Sequence, residues 1–328
     1  MEAVNDSMKS PVLVLLFNRD RVAQVLEPIR KYRPEKIYLS ADGPRSERAA
    51  EAARIAEIRR EWRRQIDWPC MVRVRFSAFN EGCRAGVSRG IDWFFTHEES
   101  GIIIEEDCRV ADSFLPFATE LLTRYRDDQR ITSITAQNEQ CGCRRGGESY
   151  YFSEIAHCWG WASWRRAWTR YREIEARLPQ ILEDGRVFRS SSYPQARTSW
   201  GRWCGRVLDG DLDSWAIIWS IANLAHHGLS VIPNVNMVQN LGFDADATHT
   251  HGQTRRFARL EEIGFPLIHP EYICPNTEAD AFDYQNCYGW RGDMLRQAKG
   301  FVKRALRPVR DTGNRLSTVL VSPGQAAS

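Results

Sequence analysis

Over residues 1–135 the apolar positions alternate between two periods. Pro11 to Phe17 is an unbroken apolar run that reads as a buried strand. After the polar turn Asn18-Arg19-Asp20, Val22, Val25, Leu26 and Ile29 recur at helical spacing. Lys36 to Ser40 predicts a second strand, stopped by Ala41-Asp42-Gly43-Pro44-Arg45, where Pro sets φ and Gly permits a positive φ. Ser46 is placed to cap a charged helix that runs to about Gln65. Met71 to Phe76 alternates as a third strand. Asn80-Glu81-Gly82 then opens a helix with Val87, Ile91 and Phe94 on one stripe. Gly101 to Ile104 predicts a fourth, buried strand. Asp112 or Ser113 caps a helix through Tyr125, and Ile131 to Thr135 is a further strand. The order β-α-β-α-β-α-β implies an α/β fold with a mostly parallel, Rossmann-like central sheet flanked by helices.

From Gln137 the pattern changes. Gly, Cys and Arg at 141–147 read as a mobile loop, and Trp159-Gly160-Trp161-Ala162-Ser163-Trp164 leads into a helix. Asp209, Asp211 and Asp213 precede a tryptophan-rich helix from Ser214 to His227, and Leu229 to Ile232 is a short strand. The stretch 252–290 carries no legible motif. From Met294 to Val309, seven apolar residues share one face and Arg296, Lys299, Lys303, Arg304 and Arg307 the other. Such a basic amphipathic helix suits an anionic membrane surface or packing on the parent domain. The expected organisation is a main domain at 10–250, with a nucleotide and metal half (1–135) and an acceptor half (136–250). An extension at 251–290 and a basic tail at 291–328 follow.

Composition adds bounds. A chain of 328 residues suffices for one large α/β domain with extensions, or for two modest ones. The net charge of only +3 gives no argument for a nucleic-acid partner. Nine scattered Cys, with Cys141-Gly142-Cys143 lacking a second pair, exclude a zinc-finger pattern and fit a reducing, cytoplasmic setting. Twelve Trp are unusually many, and aromatic faces in a cleft stack on sugars and bases.

The chemistry concentrates where the apolar run Gly101–Ile104 meets Glu105-Glu106-Asp107. Three acids at a strand tip repel one another and resist desolvation; a divalent cation, Mg²⁺ or Mn²⁺, removes the conflict, whereas a solvated turn is the plain alternative. In open α/β sheets ligands bind at the carboxyl ends of strands, and four such ends converge here: Asn18-Arg19, Asp42, Asn80 and Glu106-Asp107. Neither a G-x-G-x-x-G fingerprint nor a P-loop is present, so a nucleotide must be held by side chains and a metal. Asp42 is placed to accept a hydrogen bond from a base. Asn18, Arg19, Arg45, Asn80 and Arg84 are candidates for ribose and phosphate contacts, beside Glu105 and Glu106.

Taken in order, several motifs resemble the bacterial nucleotide-diphospho-sugar transferases of the hemolytic-protein-like family, within the GT-A glycosyltransferase superfamily. They are Phe17-Asn18-Arg19, Ala41-Asp42-Gly43-Pro44-Arg45, Asn80-Glu81-Gly82, Trp93-Phe94-Phe95, Ile104-Glu105-Glu106-Asp107-Cys108 and Ser149-Tyr150-Tyr151-Phe152-Ser153. Trp159-Gly160-Trp161-Ala162, Asp213-Ser214-Trp215, Asn240-Leu241-Gly242-Phe243 and Asp246-Ala247-Thr248-His249 complete the set. The resemblance implies a GT-A fold and sugar transfer from a nucleotide-diphospho-sugar, UDP- or GDP-linked, to a glycan or glycolipid acceptor in surface-glycan synthesis at the inner face of the membrane. It implies a metal on Asp107 with His249 as a late ligand, and Trp159, Trp161 and Trp215 on the acceptor side; Asp213 is the expected general base of an inverting displacement, with Asp211 and Asp209 as rivals. Two departures stand out: Glu-Glu-Asp replaces the commoner Glu-Asp-Asp, and Ala216 stands where another acid is usual. A sugar nucleotidyltransferase, or a noncatalytic glycan- or nucleotide-binding module, is the alternative. The former normally carries a glycine-rich loop after the first strand, and Asn18-Arg19-Asp20 has no glycine.

Overall fold

A computed structural model describes residues 9–194, 196–242 and 259–286. The predicted His249 and the tail 291–328 lie outside them. The elements run β1 (Val12–Leu16), α1 (Val22–Tyr32), β2 (Lys36–Ala41), α2 (Ala49–Gln65), β3 (Met71–Phe76), α3 (Gly82–His97) and β4 (Ser100–Glu105). Then come β5 (Cys108–Val110), α4 (Phe114–Arg124), β6 (Ile131–Thr135), β7 (Tyr150–Ser153), β8 (Trp161–Trp164), α5 (Arg165–Ala176), α6 (Leu178–Asp184) and α7 (Arg186–Arg189). The last are α8 (Ala196–Leu208), α9 (Trp215–Ala225), β9 (Leu229–Pro233), β10 (Val238–Asn240) and α10 (Thr277–Asn286).

Eight strands form one sheet in the order β3-β2-β1-β4-β8-β6-β9-β7. β3, β2, β1 and β4 are mutually parallel, as the βα alternation predicts. The second half is mixed: β8 runs antiparallel to both β4 and β6, and β7 antiparallel to β9. Residues 161–164, expected only as a lead into a helix, form a strand paired on both sides; Trp161, Ala162, Ser163 and Trp164 are all buried, which erases the alternation that marks a half-exposed strand.

The sheet separates two apolar layers by the period-two rule. Val12, Val14 and Leu16 of β1 enter one core with Val25 and Ile29 of α1 and Phe117 and Leu121 of α4. Leu13 and Leu15 enter the other with Ile91 and Phe94 of α3 and Ile218 and Trp219 of α9. β4 is divided the same way, Ile102 and Ile104 against Ile103, and all three are fully buried.

Two predicted caps are replaced. α2 starts at Ala49 rather than after Ser46, whose hydroxyl donates to Glu47 and not to the helix. At α4 the cap comes from Glu262, whose carboxylate accepts the N–H groups of Asp112 and Ser113 at 3.0 and 2.8 Å. The 141–147 segment, read as mobile, is pinned: Asn234 accepts the N–H of Arg145 at 2.7 Å and donates to the carbonyls of Arg145 and Glu148. Within the motif-poor stretch, α10 docks through buried Asp280, which accepts from Ser153 Oγ, and buried Asp283, which faces Gln140 and His157.

Candidate active site

The carboxyl ends of β1, β2 and β4, with the loop that leads from β3 into α3, open on a cavity of about 330 Å³. Arg19, Asp42, Arg45, Asn80, Glu105, Glu106, Asp107, Trp159 and Asp213 line it, together with Ser40, Gly82, Cys83, Asn240 and Gly242. Asn18 and Arg84 do not.

The three acids at the tip of β4 have separate surroundings. Glu106 is buried and turns toward β1, accepting the N–H of Phe17 at 2.7 Å and those of Asn18 and Arg19 at 3.1 Å each. Burial pushes its carboxyl up to about 7, against the pull of these amides. Asp107 lies beside Arg19, Oδ2 to Nε 3.6 Å. Glu105 has neither a hydrogen-bond donor nor an ion-pair partner among the described residues, and it faces the cavity half-buried. Desolvation first, then the neighbouring charges of Asp107 and Glu106, push its carboxyl well above the ordinary range, with Arg19 pulling the other way. β4 ends at Glu105, and Glu106 and Asp107 form the turn that follows; all three line the cavity, and Glu106 also locks the loop after β1.

A second carboxylate holds that loop from above. Glu51, in the first turn of α2, accepts Asn18 Nδ2 at 2.9 Å and the backbone N–H of Arg45 at 2.9 Å, and grips the Arg45 guanidinium. The Arg45 hydrogen bonds hold its carboxyl down at about 2. Arg45 in turn lies over the Phe17 ring, 5.2 Å from the centroid. Asn18 is therefore a structural tie. No sequence signal singled out Glu51, one acid among several on a charged helix.

Asp42 and Asp213 are both engaged with the N-terminus of α3. Asp42 accepts four N–H bonds, from Gly43, Glu81, Asn80 Nδ2 and Gly82, at 2.7–3.1 Å. Burial, the largest influence, raises its carboxyl above the ordinary range. Asp213 accepts the N–H groups of Cys83 at 2.7 Å and Arg84 at 3.1 Å, capping a helix 130 residues away in sequence. Gly82 makes this possible: its φ is +82°, and a Cβ there would sit 2.8 Å from Asp213 Oδ2. Arg84 reaches the site through its backbone.

Of the three expected acceptor-side tryptophans, only Trp159 lines the cavity. Trp161 is fully buried and Trp215 is 2% exposed. They stack on one another at 5.6 Å within the second core, beside Trp168 and Trp219. Large apolar rings at a sheet–helix contact gain more from core burial than from a wet cleft, so these two are corrected to core residues.

The small sheet β5–β10 carries Asn240 to Gly242 over the acids. Leu241 N–H donates to the Asp107 carbonyl at 2.7 Å, and Gly242 passes so close to the Asp107 carboxylate that a side chain there would collide with it. Among the described residues no group of three or more His, Cys, Asp and Glu is arranged around a common metal position, and no helix is long and apolar enough to cross a membrane. The eight described cysteines are free thiols.

No protein-family profile and no curated protein matches the chain, so the resemblance to the hemolytic-protein-like family rests on its motifs. Solved structures do show likeness. One is 4-diphosphocytidyl-2C-methyl-D-erythritol synthase from Anaerococcus prevotii, with TM-score 0.32, 9% identity, and 51% of this chain and 77% of that one covered. A second is HddC from Yersinia pseudotuberculosis, in complex with GMP-PN (0.29, 10%, 48% and 77%). A third is a protein named as a glucose-1-phosphate thymidylyltransferase from Bacillus anthracis, in complex with a sucrose (0.28, 6%, 50% and 75%). Scores this low carry no activity over to this chain.

Proposed function

We propose that the chain is a glycosyltransferase that takes a sugar from a nucleoside diphosphate sugar and passes it to a hydroxyl of a glycan or glycolipid, at the cytoplasmic face of the membrane. The observation that supports it most is Glu105: a half-buried carboxylate beside Asp107, with no hydrogen-bond donor and no ion pair among the described residues, at the tip of an apolar strand in the cavity on which the ends of β1, β2 and β4 open. Burying such a charge is costly unless something positive meets it. Glu105 and Asp107 fit a hard divalent cation such as Mn²⁺ or Mg²⁺, which is commonly held by one or two carboxylates with water and substrate phosphates. Two protein carboxylates therefore suffice without a full protein cage. Bound there, such a cation would act as a Lewis acid toward the leaving diphosphate.

The chain's own residues supply the rest. Arg19 and Arg45 flank the phosphate path with fixed guanidinium groups, each already beside a carboxylate. For the acceptor, the proton must go to a base. Of the five acids on the cavity, Asp42 is saturated by N–H donors, Glu106 is spent on the loop amides, and Glu105 and Asp107 face the phosphates. Asp213 is left, at the N-terminus of α3, and it is our assignment for the base.

The loop after β1 favours this reading over a nucleotidyltransferase. A triphosphate-binding loop offers free backbone N–H groups to phosphate. Here the three amides of Phe17, Asn18 and Arg19 are filled by Glu106. Incubation with UDP-, GDP-, TDP- and CMP-sugars, Mn²⁺ and a glycan or polyprenyl acceptor should release the free nucleoside phosphate. Pyrophosphate release from a nucleoside triphosphate and a sugar phosphate, with no turnover of any nucleotide sugar, would make the chain a nucleotidyltransferase instead.

A further inference from the structure

Asp42, the residue expected to read the base, has no capacity left. Two N–H bonds on each oxygen occupy the four lone-pair directions of a carboxylate. Asn80 is the opposite case. Its Nδ2 donates both hydrogens, to Asp42 Oδ2 at 2.8 Å and to the Gly43 carbonyl at 3.1 Å. The amide cannot be turned over, because that would set its oxygen against a carboxylate and a carbonyl. The carbonyl Oδ1 is left without a donor among the described residues, on a side chain that lines the cavity. An acceptor held in one direction discriminates strongly: a ligand with no N–H at that point leaves it desolvated and unpaired.

Its position fits a base. The Asn80 amide is bonded to Asp42, directly after β2, and the acids stand at the end of β4, so in the order β3-β2-β1-β4 two strand spacings of about 4.8 Å separate them, roughly 10 Å along the sheet edge. A nucleoside diphosphate with its phosphates at Glu105 and Asp107 would extend its base toward Asn80, passing Phe17 at the end of β1, which lines the same cavity.

We propose that Asn80 Oδ1 accepts the ring N–H of an imide, so that the site takes nucleoside diphosphates of uracil, thymine or guanine and rejects those of cytosine and adenine. Uracil and thymine carry this hydrogen on N3 and guanine carries it on N1. Cytosine and adenine present a bare acceptor nitrogen at the equivalent place, lone pair to lone pair with the Asn80 carbonyl. The inference rests on the nucleoside diphosphate reading given above.

The test is calorimetric titration of the full chain, in Mn²⁺, with UDP, TDP, GDP, CDP and ADP, followed by the ring-N-methylated form of the tightest binder. At least one imide nucleotide should bind about tenfold or more tighter than CDP and ADP, and ring methylation should remove that advantage. Asn80→Ala should bring the series to within about twofold by weakening the imide nucleotides alone; the comparisons on the unaltered chain stand even if this variant folds poorly. CDP or ADP binding as tightly as the best of the others, or indifference to methylation, overturns the assignment and leaves the transferase reading in place. Binding of none of the five overturns both.

Discussion

Glu105, Glu106 and Asp107 are chemically near-identical and adjacent, yet the fold gives them three uses. Glu106 is spent on the amides of residues 17–19, Asp107 on Arg19, and Glu105 makes no hydrogen bond or ion pair among the described residues. The sequence showed that acids end an apolar strand, which was enough to find the cavity. It could not show which way each acid faces, because that depends on where the loop after β1 lies. Asp213 is a similar case. Its place ahead of a tryptophan-rich helix was legible, but its hydrogen bonds run to the N-terminus of α3, a tertiary contact with no sequence trace. As the proposed base, Asp213 makes a sharp prediction. Asp213→Asn keeps an oxygen for one of the two amides and cannot take a proton. Turnover should fall about 10²–10⁴-fold, with the loss of stability limited to about 1 kcal/mol from the weakened cap. Steady-state kinetics beside a thermal melt separates the two. A drop of only a few-fold would remove Asp213 from the proton path.

At the level of elements, the first four β-strands were readable from period and turn chemistry, and so was the convergence of their ends. The antiparallel insertion of β8 was not, since its four buried residues give no alternation. Nor was the tie between the loops after β1 and β2, which one buried side chain of α2 makes. Glu51 joins Asn18 to Arg45, and this bond has a pH signature. Its folded-state carboxyl is held at about 2, below the ordinary 4.5. A depressed value means the ionised form is favoured by folding. The stabilisation is therefore complete above pH 4.5 and is lost as the pH falls toward about 2. Glu51→Gln should melt below the parent protein at pH 7, with the gap narrowing steadily when melts are repeated between pH 5 and pH 2.5. A gap of constant size across that range would mean that the ionised pair contributes nothing.

At the scale of the molecule, a sheet edge collects side chains from four parallel strands on one side, while the mixed half of the sheet supplies Trp159 and the α9 approach supplies Asp213. The small sheet β5–β10 closes over the acids through Asn240 to Gly242. The central claim is that Glu105 and Asp107 jointly need a cation, and that a nucleoside diphosphate sugar arrives with it. The most direct measurement is the thermal shift given by a nucleotide sugar, with Mn²⁺ and with EDTA, on the parent chain and on Asp107→Ala. The parent should be stabilised by the pair together and by neither alone, by an amount that follows the logarithm of nucleotide-sugar concentration. Asp107→Ala should melt near the parent without ligand and show no shift with it. An equal shift in EDTA, or an undiminished one in Asp107→Ala, would contradict the account.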